Sequence, residues 1–456
     1  IQTLTIAAGV TVHGTGTIGP YELVGGTVGN LLNQGTISGD VSGQILNVSP
    51  PNAFTNQGTA SATGGGSLKV LNASNLASGV LTGGTWQAFS NSKLMLPASI
   101  TTIAANVLLN GAASIITDSG GVNSVLAGLT VVASGGTLSL QGGQGLFATP
   151  AGGTFTNHGT VSLGAGSHLS VAGAFTQAAD GTFITQISGP ASASFGQIAA
   201  TGTATVGGAL QVTLGAGYDP AAGLSFAVVT GMSVVGTFST FIGGITPSGG
   251  PLILGYTATT ATITINPAAP AYVGTQIDDG NKQRSLVRSL TFKFSSPVTL
   301  SAGAITLALL NTGHSGANDG SAPTDASAAL GTPTTSDGGL SWTIPIVTTS
   351  AFSAFGSLTN GIYTATIHAG LVTNAFNQHL SGGDQTKTFH RLFGDLNGDQ
   401  RVNAVDYGMF TAAFGSNSTQ ANYVVYFDFN QDKRINALDY GQFAADFGKS
   451  FVYTAN

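Results

Sequence analysis

Short runs in which apolar and polar residues alternate recur throughout residues 1–267. Examples are Leu68-Lys69-Val70, Leu138-Ser139-Leu140 and Leu210-Gln211-Val212, and Gly, Asn and Asp residues separate such runs. Alternation with a period of two places every second side chain on one face of a β-strand, and turns at short intervals are typical of all-β structure. We therefore expect this block to consist of many short strands.

A loose internal repeat indicates how these strands are arranged. The tetrapeptides that begin at Asn33, Asn56 and Asn157 share the pattern Asn-x-Gly-Thr, and the first two lie 23 residues apart. That step is about one coil of a β-solenoid, and Asn and Gly accept the left-handed backbone of a corner. The repeat predicts a parallel β-helix, here taken as right-handed, with an array of β-sandwiches as the alternative. In composition the block resembles the Gly/Thr-rich passenger-like regions of exported bacterial surface proteins.

Residues 268–390 show a different pattern, and the Pro-containing segment 267–270 at its start resembles a linker. Strand-like runs there have the length and spacing of an immunoglobulin-like β-sandwich, and they lie at Tyr272–Ile277, Val287–Phe294, Ala304–Leu309, Leu340–Val347 and Ile362–His368. A long polar loop, 311–339, carries Asp319, Asp325 and Asp337. Long loops are often functional, so the loop could hold a further cation, although a solvated insertion is the simpler interpretation.

Two segments near the C-terminus, 395–406 and 428–439, share the ligand spacing of an EF-hand-type calcium loop. Oxygen-bearing side chains occupy positions 1, 3, 5, 9 and 12, namely Asp395, Asn397, Asp399, Asn403 and Asp406 in the first loop, and Asp428, Asn430, Asp432, Asn436 and Asp439 in the second. Position 7 supplies a backbone carbonyl, here from Arg401 and Arg434. Position 6, usually glycine because its φ is positive, is Gln400 or Lys433.

Each loop precedes a segment with helical periodicity. Aromatic residues recur at i, i+3 and i+7, and a glycine suited to a helix C-terminus follows each set: Tyr407, Phe410, Phe414 and Gly415 in the first copy, and Tyr440, Phe443, Phe447 and Gly448 in the second. The apolar residue at position 8, Val402 or Ile435, is expected to mediate a short pairing between the two loops. The sequence thus predicts a loop followed by a helix, twice, at a constant offset of 33 residues.

This duplicated arrangement resembles the type I dockerin domain over about residues 393–448. The resemblance implies two antiparallel loop–helix units that hold two calcium ions through the twelve loop residues named above, with Arg401 and Arg434 contributing backbone oxygens. It also implies docking onto a cohesin-like partner through helix residues. The alternative is a metal-stabilised terminal cap without a partner. We assign residues 391–456 to this domain, including a C-terminal tail strand.

Composition narrows the function classes. Only 7% of residues are charged, cysteine is absent, and the formal net charge is −6. The lack of a basic stripe argues against nucleic acid, and the lack of an uninterrupted run of 18 apolar residues argues against a membrane span. The chain begins with Ile1 in a strand-like pattern, which we interpret as a processed chain without its signal peptide, although a truncated chain would look the same. We therefore expect a secreted or cell-surface bacterial protein.

Catalysis is weakly supported in the solenoid block. Its acidic residues are widely separated, and arginine is absent: they are Glu22, Asp40, Asp118, Asp180 and Asp219. No two of them have the close spacing of a carboxylate pair on a strand. His13, His158 and His168 could be neighbours across coils, but histidines at turns are usually surface residues. We expect no enzymatic activity.

Three functions from different classes remain. The first is a calcium-stabilised structural protein that assembles head to tail into filaments or sheets through terminal strands, with Leu4, Ile6 and Val10 at one end and Phe451 and Tyr453 at the other. The second is an adhesin or glycan-binding protein tethered through a dockerin–cohesin interaction. The third is a polysaccharide-degrading enzyme of the β-helix class.

Overall fold

The computed structural model describes residues 2–19, 28–311 and 322–453, and the chain divides into two compact units, 1–268 and 269–456. Strands dominate both units, as the alternating patterns predict. The two α-helices of the described residues, Ala404–Ala413 (α1) and Ala437–Asp446 (α2), have ten residues each. No helix in this part of the chain has the length and apolar content that crossing a membrane requires.

The first unit is a parallel β-solenoid, which confirms the predicted architecture. Its strands stack in register in long sheets, apart from a short antiparallel pair at 76–81 and a hairpin at the C-terminal end. One sheet contains Gln2–Ile6, Val28–Asn33 and Ala53–Asn56. Another contains Gly16–Ile18, Ile45–Val48, Ser67–Val70, Lys93–Met95 and Ile115–Thr117, and a third contains Gly145–Ala148, His168–Val171, Gln197–Ala200, Ser225–Thr230, Leu252–Tyr256 and Thr260–Ile265.

The longest sheet of the solenoid runs through both halves of the unit. Its strands are Thr11–Gly14, Thr36–Gly39, Thr59–Ala62, Leu76–Ala77, Val80–Phe89, Thr102–Asn110, Val131–Val132, Thr137–Gln141, Thr154–Asn157, Thr160–Leu163, Ala174–Gln177, Thr182–Ile187, Thr203–Val206, Ala209–Leu214, Ser233–Gly236 and Thr240–Ile242. Inward-facing residues at alternate positions form a continuous core, in which Phe54 packs edge-to-face on Trp86 and Phe155 stacks on Phe175. A 3₁₀ turn, Ser192–Ser194, lies between two of these coils.

The Asn-x-Gly-Thr repeats lie at the corners between strands, as predicted, but for a different reason. Asn56, its counterparts and the following glycines are not among the residues with positive φ. The glycine is required because a Cβ at Gly58 would lie 2.1 Å from the carbonyl oxygen of Gly35 on the preceding coil. The asparagine is required because its side chain points inward: Asn33 donates to Asn56 Oδ1 at 2.8 Å, and Asn75 Nδ2 donates to the Asn56 carbonyl. Corner asparagines therefore satisfy buried backbone groups between coils.

The second unit contains a β-sandwich built from antiparallel sheets, in agreement with the predicted immunoglobulin-like arrangement. One sheet contains Tyr272–Ile277, Ser289–Phe294 and Ser341–Pro345, and another contains Ile305–Asn311, Thr324–Asp325, Gly361–Ile367 and Gln385–Arg391. Smaller sheets pair Thr299–Leu300 with Val372–Thr373, and join Thr349–Ser350, Ser353–Ala354 and Ser357–Leu358. Single 3₁₀ turns occur at Ser327–Ala329, Ala369–Leu371 and Val425–Phe427.

The second unit has two hydrophobic clusters, one within the sandwich and one around α1 and α2. The first unit, which is the solenoid, ends at residue 268, one residue beyond the predicted boundary. The predicted boundary between the sandwich and the calcium domain, at 390/391, stays a prediction because both clusters lie in one compact unit. This arrangement places the calcium loops directly against the sandwich.

The acidic side chains of the long sandwich loop serve as local turn caps where they are described. Asp325 accepts a hydrogen bond from the Ser327 N–H, and Asp337 accepts hydrogen bonds from the Ser341 N–H and the Thr335 hydroxyl. The Ser341 N–H is the main reason that the pKa of Asp337 falls to about 2. Asp319 lies outside the described residues. The described carboxylates of this loop therefore have local structural partners.

The residues expected to mediate head-to-tail assembly fall into two groups. Leu4 and Val10 have exposed side chains, whereas Ile6 is buried in the solenoid core. The expectation of a donated C-terminal strand is wrong for the tail, because Phe451 is buried in its own unit and its N–H donates to the Gln400 carbonyl. Tyr453 is likewise within hydrogen-bond distance of His390. These tail residues are already used within their own chain.

Candidate calcium-binding site

Each calcium loop starts the helix that follows it. Asn403, at position 9, is the N-cap of α1 and accepts a hydrogen bond from the Val405 N–H, while Asp406, at position 12, accepts one from the Asn403 N–H. Asn436 and Asp439 form the same reciprocal capping box at the start of α2. A capping box satisfies N–H groups that would otherwise lack partners. It also fixes the two side chains that the spacing predicts as ligands.

In each loop, backbone N–H groups of the loop donate hydrogen bonds to the carboxylate at position 1. Asp395 Oδ1 accepts hydrogen bonds from the N–H groups of Gly398 and Asp399 at 2.7 and 3.1 Å. The Gln400 N–H donates to Asp395 Oδ2 at 3.0 Å. Asp428 accepts the equivalents of the bonds from Asp399 and Gln400, which come from Asp432 and Lys433 at 3.0 and 2.7 Å. Both carboxylates are buried. The first predicted ligand of each loop is therefore held by the loop backbone.

Hydrogen bonds also connect positions 3, 5 and 7, and they are the same in both loops. The amide group at position 3 donates to the carboxylate at position 5, from Asn397 to Asp399 at 2.9 Å and from Asn430 to Asp432 at 3.1 Å. The N–H at position 7 donates to that same carboxylate. The side chains at position 7, Arg401 and Arg434, are exposed, which is compatible with the predicted use of their backbone carbonyls.

Position 6 has the backbone conformation that a calcium loop requires, although neither residue is glycine. Gln400 has a φ of 70° and Lys433 has a φ of 69°. A left-handed conformation strains an L-residue by roughly 1–2 kcal/mol. The loops therefore keep the EF-hand geometry at the cost of this backbone strain. The absence of glycine at position 6 predicts the strain.

The electrostatics of each loop favour a bound cation. Burial raises the pKa of Asp406, and the neighbouring charges of Asp395 and Asp399 raise that pKa further. The pKa of Asp439 is raised by burial and by its own neighbours, Asp428 and Asp432. A divalent cation would offset this repulsion, and Ca²⁺ prefers six to eight oxygen ligands.

The donor set is mixed rather than purely acidic. Across the described residues no three His, Cys, Asp or Glu side chains lie close enough together to hold a metal by themselves. Each loop must also use its two asparagines and the position-7 carbonyl. Carboxylate, amide and carbonyl oxygens together are the ligands of a calcium loop, so the residues present fit this ion.

The expected pairing of the two loops with each other is wrong. The N–H of Val402 donates to the carbonyl of Lys449, and the N–H of Ile435 donates to the carbonyl of Ser416. Each position-8 residue thus pairs with the segment that follows the helix of the opposite copy. Because the left-handed glycines at Gly415 and Gly448 turn the chain back after each helix, those segments reach the opposite loop.

The aromatic stripe of each helix is divided between the core and the surface. Phe410 and Phe443 are buried and stack with ring centroids 4.7 Å apart. The flanking aromatic side chains are between two-fifths and one-half exposed, and they are Tyr407, Phe414, Tyr440 and Phe447. They line two shallow cavities of about 350 and 270 Å³. The stripe was predicted from spacing, but its exposed part was not.

Two contacts that the sequence analysis missed complete the position-1 carboxylates. His390 Nε2 lies 2.7 Å from Asp395 Oδ2, and the hydroxyl of Tyr423 donates to Asp428 Oδ2 at 2.6 Å. Each partner precedes its aspartate by five residues. The 33-residue offset therefore relates His390 to Tyr423, but the two residue types differ, so the repeat did not reveal them.

The comparisons agree with this geometry. No curated protein and no solved structure matches the chain. One family model, the dockerin type I domain, matches residues 393–443. The match begins just before the first calcium loop and ends within α2, so it covers both loops. Dockerin domains of type I bind calcium and cohesins. Residues 393–443 of this chain are therefore a dockerin type I domain.

Proposed function

We propose that this chain is a secreted, calcium-stabilised structural protein of a bacterial cell surface or matrix, attached to a cohesin-type partner through its C-terminal domain. The supporting observation is the pair of complete loop–helix units, each with a buried first carboxylate and a capped helix. Proteins with dockerin domains are generally extracellular or cell-surface proteins. The solenoid would act as a rod that the attached module displays.

Calcium binding is the chemical basis of this proposal. Two ions would occupy the two loops, because each loop has its own full set of oxygen donors. Dockerin-type loops wrap the ion, so binding and folding are coupled. Calorimetric titration of the full chain should give two ions per chain, and a stoichiometry below two would contradict the proposal.

The half-exposed aromatic side chains of α1 and α2 are the proposed docking surface. Tyr407 packs against Phe447 and Phe414 packs against Tyr440, so each of the two cavities is lined from both helical segments. Aromatic side chains are enriched among the residues that dominate binding energies. Binding of the full chain to a panel of immobilised type I cohesin modules, measured in calcium and in EGTA, tests this role. Phe447→Ala should weaken binding that uses the larger cavity, and Phe414→Ala should weaken binding that uses the smaller one, because each of these residues lines one of the two.

A non-enzymatic role is supported by the contacts of the solenoid carboxylates. Asp40 and Asp180 pair with His13 and His158 at the surface, while Asp118 bonds to Asn123 in its own turn and Asp219 bonds to Ser248. Glu22 lies outside the described residues. Each described carboxylate thus has a separate local partner. Release of reducing or unsaturated sugars from polysaccharides would instead favour the β-helix enzyme.

Self-assembly remains a second way in which a structural protein could work. The exposed Leu4 and Val10 side chains favour it, whereas the packed tail does not. Electron microscopy and sedimentation of the full chain, with calcium and with EGTA, separate the possibilities. Calcium-dependent filaments or sheets would support self-assembly, and a monomer that binds a cohesin would support attachment alone.

A further inference from the structure

The sandwich contacts the first calcium loop through one turn, residues 282–285, which is called the sandwich turn below. The N–H of Arg284 donates to the carbonyl of Asp395 at 2.9 Å, and the N–H of Leu392 donates to the carbonyl of Arg284 at 2.9 Å. The buried hydroxyl of Ser285 accepts from the Gly394 N–H and donates to the Tyr426 carbonyl. Three of these hydrogen bonds join the turn to the chain around the first loop, and the fourth joins it to Tyr426, two residues before the second loop.

The turn also lies against the loop at its closest point. A Cβ added at Gly398, position 4 of the loop, would lie 2.0 Å from the carbonyl oxygen of Lys282. Gly398 has a φ of 74°, so two independent constraints require glycine. Position 4 of the first loop is therefore packed backbone to backbone against the sandwich turn.

A relay of three side chains leads to the first predicted ligand. Tyr453, His390 and Asp395 form a chain of hydrogen bonds, with 2.8 Å between the Tyr453 hydroxyl and His390 Nδ1 and 2.7 Å between His390 Nε2 and Asp395 Oδ2. His390 and Asp395 are 1% and 0% exposed. The tautomer that satisfies both contacts donates from Nε2 to the carboxylate. His390 belongs to the last sandwich strand, Gln385–Arg391.

The sandwich also contributes to the hydrophobic cluster behind the loops. Leu286 and Ile362, from the sandwich, are buried together with Val402 of the first loop and with Phe410 and Phe443 of the helices. A shared core makes the two parts unfold together, because exposing one side of the cluster removes the partners of the other.

We infer that His390 is a positioning residue for the first calcium ligand, and that this contact from the sandwich sets the calcium affinity of the first loop but not of the second. The inference rests on calcium binding by both loops, which is part of the proposed function. Groups that hydrogen-bond to metal ligands orient them, and their loss typically lowers metal affinity by about 10–100-fold. The second loop has its own counterpart in Tyr423, which lies outside the sandwich.

The test uses the full chain with one loop disabled at a time. Asp432→Ala removes an exposed ligand of the second loop, and Asp399→Ala removes its exposed equivalent in the first. In the Asp432→Ala background, His390→Leu should weaken calcium binding by about 10–100-fold by calorimetric titration. His390→Gln should restore it, because the glutamine amide can donate from a position close to that of Nε2. In the Asp399→Ala background, His390→Leu should leave the affinity of the second loop unchanged.

The controls distinguish positioning from general damage. Tyr423→Phe should weaken the second loop and spare the first, which is the mirror image of His390→Leu. If His390→Leu fails to fold, Tyr453→Phe provides a second test, because it removes the hydroxyl that lies 2.8 Å from His390 Nδ1. It should lower the affinity of the first loop alone.

Three results would overturn the inference. The first is an unchanged affinity of the first loop in folded His390→Leu, the second is an equal loss in both loops, and the third is no restoration by His390→Gln. A chain that binds no calcium before any substitution would overturn the proposed function and the inference with it. Calcium binding that is insensitive to His390 would overturn the inference alone.

Discussion

The two calcium loops have the same internal structure in different surroundings. In both, position 1 is buried and enclosed by loop N–H groups, positions 9 and 12 cap a helix, and position 6 has a positive φ. Outside the loop they differ. Asp395 is contacted by His390 from a sandwich strand, whereas Asp428 is contacted by Tyr423 from the segment between α1 and the second loop.

The contacts at position 4 differ in the same way. Gly398 lies directly against the Lys282 carbonyl and leaves no space for a side chain. Gln431, its counterpart, has a φ of 55° and extends its amide to the carbonyl of Phe355. At position 4, one loop therefore meets the sandwich through its backbone and the other through an exposed side chain. A duplicated motif preserves its ligands, while the residues around it decide how each copy is connected to the rest of the protein.

Calcium removal should have the largest effect and should reach beyond the loops. Each ion stabilises the folded state by about 4 kcal/mol when free calcium is a thousand times its dissociation constant. Because the first loop shares a core and backbone hydrogen bonds with the sandwich, EGTA should lower the unfolding temperature of the second unit and leave the solenoid transition in place. Calorimetry would measure the two unfolding transitions, and hydrogen exchange would show which strands and helices of the second unit lose protection. Protection lost only in α1 and α2, and not in strand Gln385–Arg391, would contradict the coupling.

Exchanging the residues at position 4 should have the second-largest effect, and the change in stability should differ between the two loops. Gly398→Gln places a side chain against the Lys282 backbone and should destabilise the second unit by about 3 kcal/mol or more. Gln431→Gly loses a hydrogen bond of about 1 kcal/mol but relieves a strained backbone of similar energy, so it should be close to neutral. Chemical denaturation in saturating calcium would measure both. Equal effects of the two substitutions would contradict the asymmetry.

Substituting the capping asparagines should affect the two loops equally. Asn403→Ala and Asn436→Ala each remove an N-cap, which should cost about 1 kcal/mol in EGTA. In calcium each should cost more, because the same residue is a predicted ligand. Denaturation in both conditions would separate capping from metal binding. A markedly larger effect of one variant in EGTA would show that the helices, and not only their surroundings, differ.

The sequence allowed the local features of the calcium domain to be predicted because those features depend on short spacings. Ligand positions, the two helices and the terminal glycines Gly415 and Gly448 are all specified within one 33-residue repeat. The pairing of Val402 and Ile435 was predicted wrongly because it depends on how the chain turns after each helix. The half-exposed Tyr407 and Phe447 were not foreseen because spacing places a residue on a helix face without telling what covers that face.

The solenoid shows the same division between local and long-range information. Alternation and the 23-residue step were enough to predict stacked parallel strands. They could not show that Asn56 points inward or that Gly58 is required by the Gly35 carbonyl of the preceding coil, since both depend on contacts across coils. His390 was missed for a similar reason, because its role depends on the approach of a sandwich strand to the loop.

Glycine at position 6 should give the smallest effect and should be the same in both loops. Gln400 and Lys433 have φ values of 70° and 69°, so Gln400→Gly and Lys433→Gly each relieve roughly 1–2 kcal/mol of backbone strain. The added flexibility of glycine in the unfolded chain returns about 0.4–1 kcal/mol of this, which leaves a net gain of about 0.5–1 kcal/mol. Denaturation in EGTA would measure the gain without calcium. Because the strain lies within the loops, a gain in one loop only would mean that their surroundings also set their backbone, and the shared internal structure would be less complete than the nearly identical angles indicate.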